Sequence, residues 1–164
     1  MNWLLLLRFL HILSAIAFVG GVFARQFVRS LASSVQDIHH FVALSQGAGI
    51  IERFMVIPGS LAVFIIGIIF ALPLHAPILG FLQGASQNWL LLANVLLLFD
   101  ILIVPFIFIP RGKQFEMLLS QSLARGEITP ELRAALGDPV VRMAHWYEMA
   151  SLVVIVALMV FKPF

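Results

Sequence analysis

A chain of 164 residues that is 62% hydrophobic and 11% charged, with a formal net charge of +2, carries more apolar surface than a water-soluble fold of its size can bury. Its mean hydropathy of +1.06 makes lipid the solvent for much of that surface, which excludes soluble enzymes, nucleic-acid-binding domains and disulfide scaffolds. The complete lack of cysteine further excludes thiolate metal sites and redox-active disulfides.

An all-α integral membrane four-helix bundle is therefore expected, as a single domain over residues 1–164. A spanning helix needs about 20 mostly apolar residues. The first such stretch is 3–24, interrupted only by Arg8 and His11. Its Ala15-Ile16-Ala17 imitates a signal-peptide cleavage site, but no basic residue precedes the apolar run, so the helix is expected to be retained. In the connection that follows, Phe27, Leu31, Val35, Ile38 and Val42 recur at helical spacing with Arg29, Gln36 and Asp37 between them. That pattern predicts an amphipathic helix, either continuing the first span or lying on the membrane. His39 and His40 are adjacent and diverge by about 100° on a helix, so they cannot chelate one ion together.

The second span, 54–74, has no charge, and Pro58-Gly59 is expected to kink it. A short connection with an isolated His75 leads to the third span, 89–109, which contains Asp100 and a second kinking residue, Pro105. Beyond it Phe115, Leu118, Leu119 and Leu123 form another apolar face, and Thr129-Pro130 opens a short helix that Gly137 closes. Asp138-Pro139 starts the fourth span, 139–161, and Lys162-Pro163 ends it. The two amphipathic connections are expected to cover one end of the bundle.

Arginine and lysine set the expected orientation. Arg25, Arg29 and Arg53 lie in one connection and Arg111, Lys113, Arg125, Arg133 and Arg142 in another, while residues 73–88 carry none. The positive-inside rule then puts both basic connections in the cytoplasm and both termini outside, in a bacterial inner membrane. Trp3 and Trp89 fall at the outer interface and Trp146 near the inner one.

Ionisable groups inside a span cost roughly 2.5–3.5 kcal/mol each on insertion scales, so they face the bundle and have partners. Helical spacing and depth sort them into an outer cluster of Arg8, His11, Asn94 and Asp100, and an inner one of Arg25, Glu52, Arg53, His145 and Glu148. The inner cluster reads as an ion-pair network that fixes helix packing. His11 reads either as a packed, hydrogen-bonded histidine or as an axial ligand to haem iron, with Gly20-Gly21 allowing close backbone approach. One His145-x-x-Glu148 motif falls far short of a di-iron set, and no metal site or catalytic residue is assigned.

Four stretches carry a family resemblance: Arg8-Phe9-Leu10-His11 with Gly20-Gly21-Val22-Phe23-Ala24-Arg25; Glu52-Arg53-Phe54 with Ile57-Pro58 and Gly67; Trp89-Leu90 with its leucine-rich run; and Glu148 with Val160-Phe161-Lys162-Pro163-Phe164. Together they resemble the DUF2269 membrane proteins, a group similar to HemJ-type protoporphyrinogen oxidases and to CopD-type copper-resistance membrane domains. The resemblance implies haem b bound through His11, with Arg8, Gly20 and Gly21 around it. The HemJ-type lysine of the third helix is replaced by Ala93 and Asn94, and two further histidines of that family lack counterparts, so the resemblance implies the fold while these departures count against the oxidase activity. Three function classes stay open: a haem-associated or redox-linked protein, a non-catalytic accessory subunit of a larger membrane complex or homo-oligomer, and a CopD-like transporter. None involves nucleic acid.

Overall fold

Residues 3–163 are described by a computed structural model, and all of its regular structure is helical. Helix α1 (Trp3–Ser34) is 32 residues long, which at the α-helical rise is about 48 Å and exceeds a hydrocarbon core of about 30 Å. The chain turns at Val35-Gln36-Asp37 and returns as α2 (Ile38–Ile51), whose first turn is capped by the Asp37 carboxylate accepting from the His40 amide. A π-helical turn at Glu52–Val56 joins α2 without a break to α3 (Ile57–Ala71). Helix α4 (Trp89–Ile103) likewise passes through a π-turn at Val104–Phe108 into α5 (Ile109–Arg125). A short α6 (Pro130–Leu136) and a long α7 (Pro139–Phe161) complete the chain. Among the described residues, four helical stretches are long and apolar enough to cross a membrane.

The prolines explain the two π-turns. Proline lacks an N–H and its ring collides with the carbonyl four residues back. Before Pro58 the turn widens so that the Ile57 amide reaches the Glu52 carbonyl, and before Pro110 the Ile109 amide reaches that of Val104 in the same way. Each helix thus absorbs one extra residue and continues, rather than ending where the apolar sequence runs out. The second and third helices accordingly extend past the apolar spans: α2 precedes residue 54, and α5 carries on beyond residue 109.

Helix α1 packs on α3 and α7, α4 packs on α7 and α3, and the four close a bundle. Its core is Phe18 and Val22 from α1, Val56 and Val63 from the second helix, Ala93 and Leu97 from α4, and Leu152, Ile155 and Leu158 from α7. A smaller second core lies in the helical cap at the basic end, where Ile38, Phe41 and Val42 of α2 meet Leu132 of α6. Phe115, Leu118 and Leu119 pack against it, as the apolar face of that connection predicts. The stripe from Phe27 to Val42 is split between two helices. Phe27 and Leu31 are exposed on α1, whereas Ile38, Phe41 and Val42 are buried after the turn. The break follows from Asp37, whose side chain is better used as a cap than inside a helix.

The ends follow their local chemistry. Thr129 and Asp138 cap α6 and α7 through their side-chain oxygens, each followed by proline at the first helical position. Gly126 closes α5 at a φ of 74°, a conformation that a side chain disfavours. Lys162 ends α7, with its ammonium 5.4 Å from the centre of the Trp89 ring.

Candidate functional site: a buried arginine and the cavity beside it

Four helices contribute to one polar cluster at the basic end. Arg25 of α1 is 3% exposed and its guanidinium donates to Glu52 through one terminal nitrogen and to Glu148 of α7 through the other. The second nitrogen also lies 3.0 Å from His145 Nδ1. Phe108 stacks on the His145 ring with centroids 4.6 Å apart, and the Arg25 guanidinium carbon sits 5.2 Å from the centre of the same phenyl ring. From Glu148 the polar chain runs deeper. Ser151 contacts the Glu148 carbonyl and lies 2.8 and 2.7 Å from the two oxygens of Asp100 on α4. The single Ser151 hydroxyl hydrogen is thus within reach of three oxygens and can be donated to one at a time.

Each member is delivered by its helix for a physical reason. His145, Glu148 and Ser151 recur at three-residue spacing on one face of α7, which is the most enclosed of the four spans: 39% of its apolar window is buried, against 17% for α1. Glu52 opens the first π-turn and Phe108 closes the second. The extra residue in each turn rotates the helix and aims these two side chains inward, a common use of π-bulges.

Beside the cluster is a cavity of about 580 Å³ between the bundle and its helical cap. Arg25, Arg29, Ser45, Glu52, Arg53 and His145 line it, with Phe54, Phe108 and Phe115 among its apolar walls. Arg111 pairs with Asp138 on another side of it. Four side chains lining this cavity keep a buried polar atom without a hydrogen-bonding partner: Arg25 Nε, Ser45 Oγ, Glu52 Oε1 and His145 Nε2. His145 Nδ1 lies 3.0 Å from the Arg25 guanidinium and 3.6 Å from Glu148 Oε2; the shorter contact is to a group that has only donors, which assigns Nδ1 as acceptor and the ring hydrogen to Nε2. Nε2–H is thus a donor lacking an acceptor, and Glu52 Oε1 is an acceptor lacking a donor.

The residues singled out from sequence divide accordingly. Arg25, Glu52, His145 and Glu148 come together as an inner network. Arg53 is on the same π-turn as Glu52 but is exposed, on the cavity wall and outside the ion-paired group. Asp100 joins the inner network through Ser151 rather than an outer cluster with His11. His11 instead inserts between α1 and α3, with its ring against Gly67. A Cβ on Gly67 would come within 3.0 Å of it. Arg8 is exposed and Asn94 half-buried.

The His11 surroundings do not fit a haem. The space at Gly21 is filled by Met55 and Val56, since a Cβ there would lie only 2.9 Å from Met55 Cβ, while the space around Gly20 is open and exposed on the other side of the helix. His11 Nδ1 is buried against Gly67 rather than facing a slot for a macrocycle. His145 fits iron no better. Its Nδ1 has Glu148 Oε2 at 3.6 Å but the Arg25 guanidinium nearer, at 3.0 Å, and a cation beside the ring disfavours a metal cation on it. Among the described residues no three histidine, aspartate or glutamate side chains assemble as a metal site.

Ser151, Phe108, Ser45 and Arg29 complete the site without having been singled out by sequence. Ser151 continues the His145–Glu148 spacing by one more step and could have been read from it. Phe108 had a fainter signal. The pattern Phe-x-x-Ile-Pro occurs as Phe54–Pro58 and again as Phe106–Pro110, marking both π-turns. Arg29 stands out in the sequence only as one of the basic residues that set the orientation, and Ser45 carries no signal that separates it from surface residues.

In comparison with known families, a profile described as "Predicted integral membrane protein (DUF2269)" matches residues 5–163. No curated protein and no solved structure matches the chain.

Proposed function

This chain belongs to the DUF2269 family of predicted integral membrane proteins, and from that premise we propose that it is a ligand-handling membrane bundle whose site is the basic-end cavity. We place it in the same lineage as the HemJ-type and CopD-type bundles, nearer in role to the transporter-like members than to the haem oxidases. The observation that carries this reading is that three residues lining the cavity hold unpartnered buried atoms: Ser45 Oγ, Glu52 Oε1 and His145 Nε2. Leaving a buried polar group unsatisfied costs about 1–3 kcal/mol, so three together point to a molecule that completes them.

The basic residues orient the bundle. Because the two connections flanking the cavity hold eight of the ten lysines and arginines, this end faces the cytoplasm of a bacterial inner membrane. Cysteines introduced singly into the loops can be probed with an impermeant thiol reagent against a background free of native thiols. A residue at 126–128 is expected to resist labelling from outside intact cells, and one at 85–87 to react.

The site is tested by filling it. Ser45→Trp should occupy the cavity from α2 while leaving the Arg25 pairs in place. Wild type extracted in mild detergent is expected to retain a discrete small-molecule adduct by native mass spectrometry, and Ser45→Trp to lose it without losing helix content. Identical adduct patterns in a folded variant would reject the cavity as the binding site. The haem-linked reading has its own readout: a Soret band in protein expressed with haem, lost in His11→Ala, would reinstate it.

A further inference from the structure

We propose that the cavity holds the headgroup of an anionic phospholipid bearing free hydroxyls. This rests on the ligand-handling reading above and names the class of ligand. Three separate features of the cavity select it.

The first is unspent positive charge. Arg25 is matched by two carboxylates and Arg111 by Asp138. Arg29 and Arg53 also line the cavity, and among the described residues neither has a carboxylate within ion-pairing distance. Arg29 reaches only the Leu136 carbonyl, at 3.5 Å. Two guanidiniums lining one cavity suit a phosphate, whose oxygens accept from both. Basic pockets between spanning helices on the cytoplasmic side are a recurrent way of holding acidic lipid headgroups.

The second is the mixed polarity deeper in. His145 Nε2–H needs an acceptor and Glu52 Oε1 needs a donor. A bare phosphate supplies the first and repels the second. A hydroxyl supplies both, accepting from the histidine and donating to the carboxylate. Ser45 Oγ can take either part with a second hydroxyl. A polyol-type headgroup therefore satisfies atoms that a choline or ethanolamine headgroup leaves open.

The third is the rim. Ile50 and Phe54 border the cavity and are 59% and 70% exposed, on the helix that runs from the cap into the bundle. An exposed apolar rim beside unpaired arginines is out of place for a soluble anion arriving from water. It gives the acyl chains of a lipid a surface to lie along as the headgroup enters sideways. The phosphate then sits between Arg29 and Arg53 and the hydroxyls reach inward to His145 and Glu52.

The test is a lipid titration of delipidated protein in detergent, read by native mass spectrometry and by thermal unfolding. The probes are phosphatidylglycerol, phosphatidic acid, phosphatidylcholine and inorganic phosphate. Phosphatidylglycerol is expected to bind one to one and to raise the unfolding temperature most, with phosphatidic acid weaker and phosphatidylcholine weaker still. Arg29→Gln with Arg53→Gln should weaken phosphatidylglycerol binding by about 30-fold, as loss of two lipid-facing charges implies. Those two side chains are outside the Arg25 pairs, so unfolding of the lipid-free double variant should match wild type. Equal binding of phosphatidylglycerol and phosphatidylcholine, or an unchanged affinity in the double variant, overturns the proposal. Stabilisation by inorganic phosphate as strong as by the lipid assigns the site to soluble anions and overturns the lipid. An adduct of other chemistry that Ser45→Trp removes leaves the ligand site standing and the lipid refuted. If none of the four probes binds and no adduct is retained, both readings fall and the cavity holds water.

Discussion

The seam between α1 and α3 and the polar cluster at the basic end bring helices together by opposite means. In the seam the backbones approach until nothing fits between them. A Cβ on Gly59 would lie 2.9 Å from the Phe18 backbone nitrogen, and Gly21 and Gly67 are as tightly filled by Met55 and His11. Lipid offers apolar helices no hydrophobic reason to associate, so close van der Waals contact over small residues is what holds such a seam. At the basic end the helices stand apart, bridged by Arg25 reaching both Glu52 and Glu148, and a cavity remains. The lesson concerns which polar residues signal a ligand. His11 has the residue type and glycine neighbours of a cofactor site, yet it is enclosed by packing. The inner charges have the residue types of a structural network, yet they leave donors and acceptors open.

The largest effect should come from stranding the carboxylates. Arg25→Met leaves the buried Glu148 and the half-buried Glu52 without a counter-ion and is expected to cost about 3–5 kcal/mol of stability. Chemical or thermal unfolding in detergent measures it, with Arg53→Met as control, since an exposed arginine outside the pairs should change stability by less than about 0.5 kcal/mol. Similar small losses in both variants would mean that water already screens the cluster.

Packing in the seam should yield the next effect. Gly59→Ala forces a methyl group against the Phe18 backbone and should destabilise by about 1–3 kcal/mol, the usual range for overpacking. A neutral result would show that α1 and α3 can separate freely, and the contrast between the two regions would lose one side.

A smaller effect, of opposite sign, separates two neighbouring glycines. Nothing lies within 4 Å of a Cβ built on Gly20, so Gly20→Ala should stabilise by up to about 1 kcal/mol through helix propensity alone. Gly21→Ala meets Met55 and should destabilise. If both alanines destabilise, a partner occupies the outer face at Gly20 and the haem-site reading regains support.

The smallest effect lies outside the membrane, in the cap. The His40 amide hydrogen-bonded to the Asp37 carboxylate, with the His40 ring beside it, holds that carboxyl below its ordinary value near 4. A depressed folded pKa means that the contribution is complete above the unfolded value and disappears as pH falls through the folded one. Wild type should thus lose a little thermal stability on acidification below about pH 4 that Asp37→Asn, which caps without titrating, does not lose. Parallel acid profiles for the two proteins would remove the cap from the pH dependence.

Composition and periodicity were enough for the membrane, the four spans and the short helices of the cap, because those depend on hydropathy and on residues next to one another in the chain. Asp37, Thr129 and Asp138 cap helices wherever they precede one, and prolines act within their own turn. Sequence also grouped Arg25 with Glu52, Glu148 and His145, because charges in a span must pair and these share a depth. What it did not yield is where the helices touch and where they part. Pro58 and Pro110 widen their turns instead of ending their helices, and that rotation carries Glu52 and Phe108 inward. Asp100 finds Ser151 rather than His11 because α4 packs beside α7, a choice made by side-chain fit across the whole bundle. Whether a polar atom is satisfied depends on every neighbour at once, so the open positions at Ser45, Glu52 and His145 exist only in the folded protein.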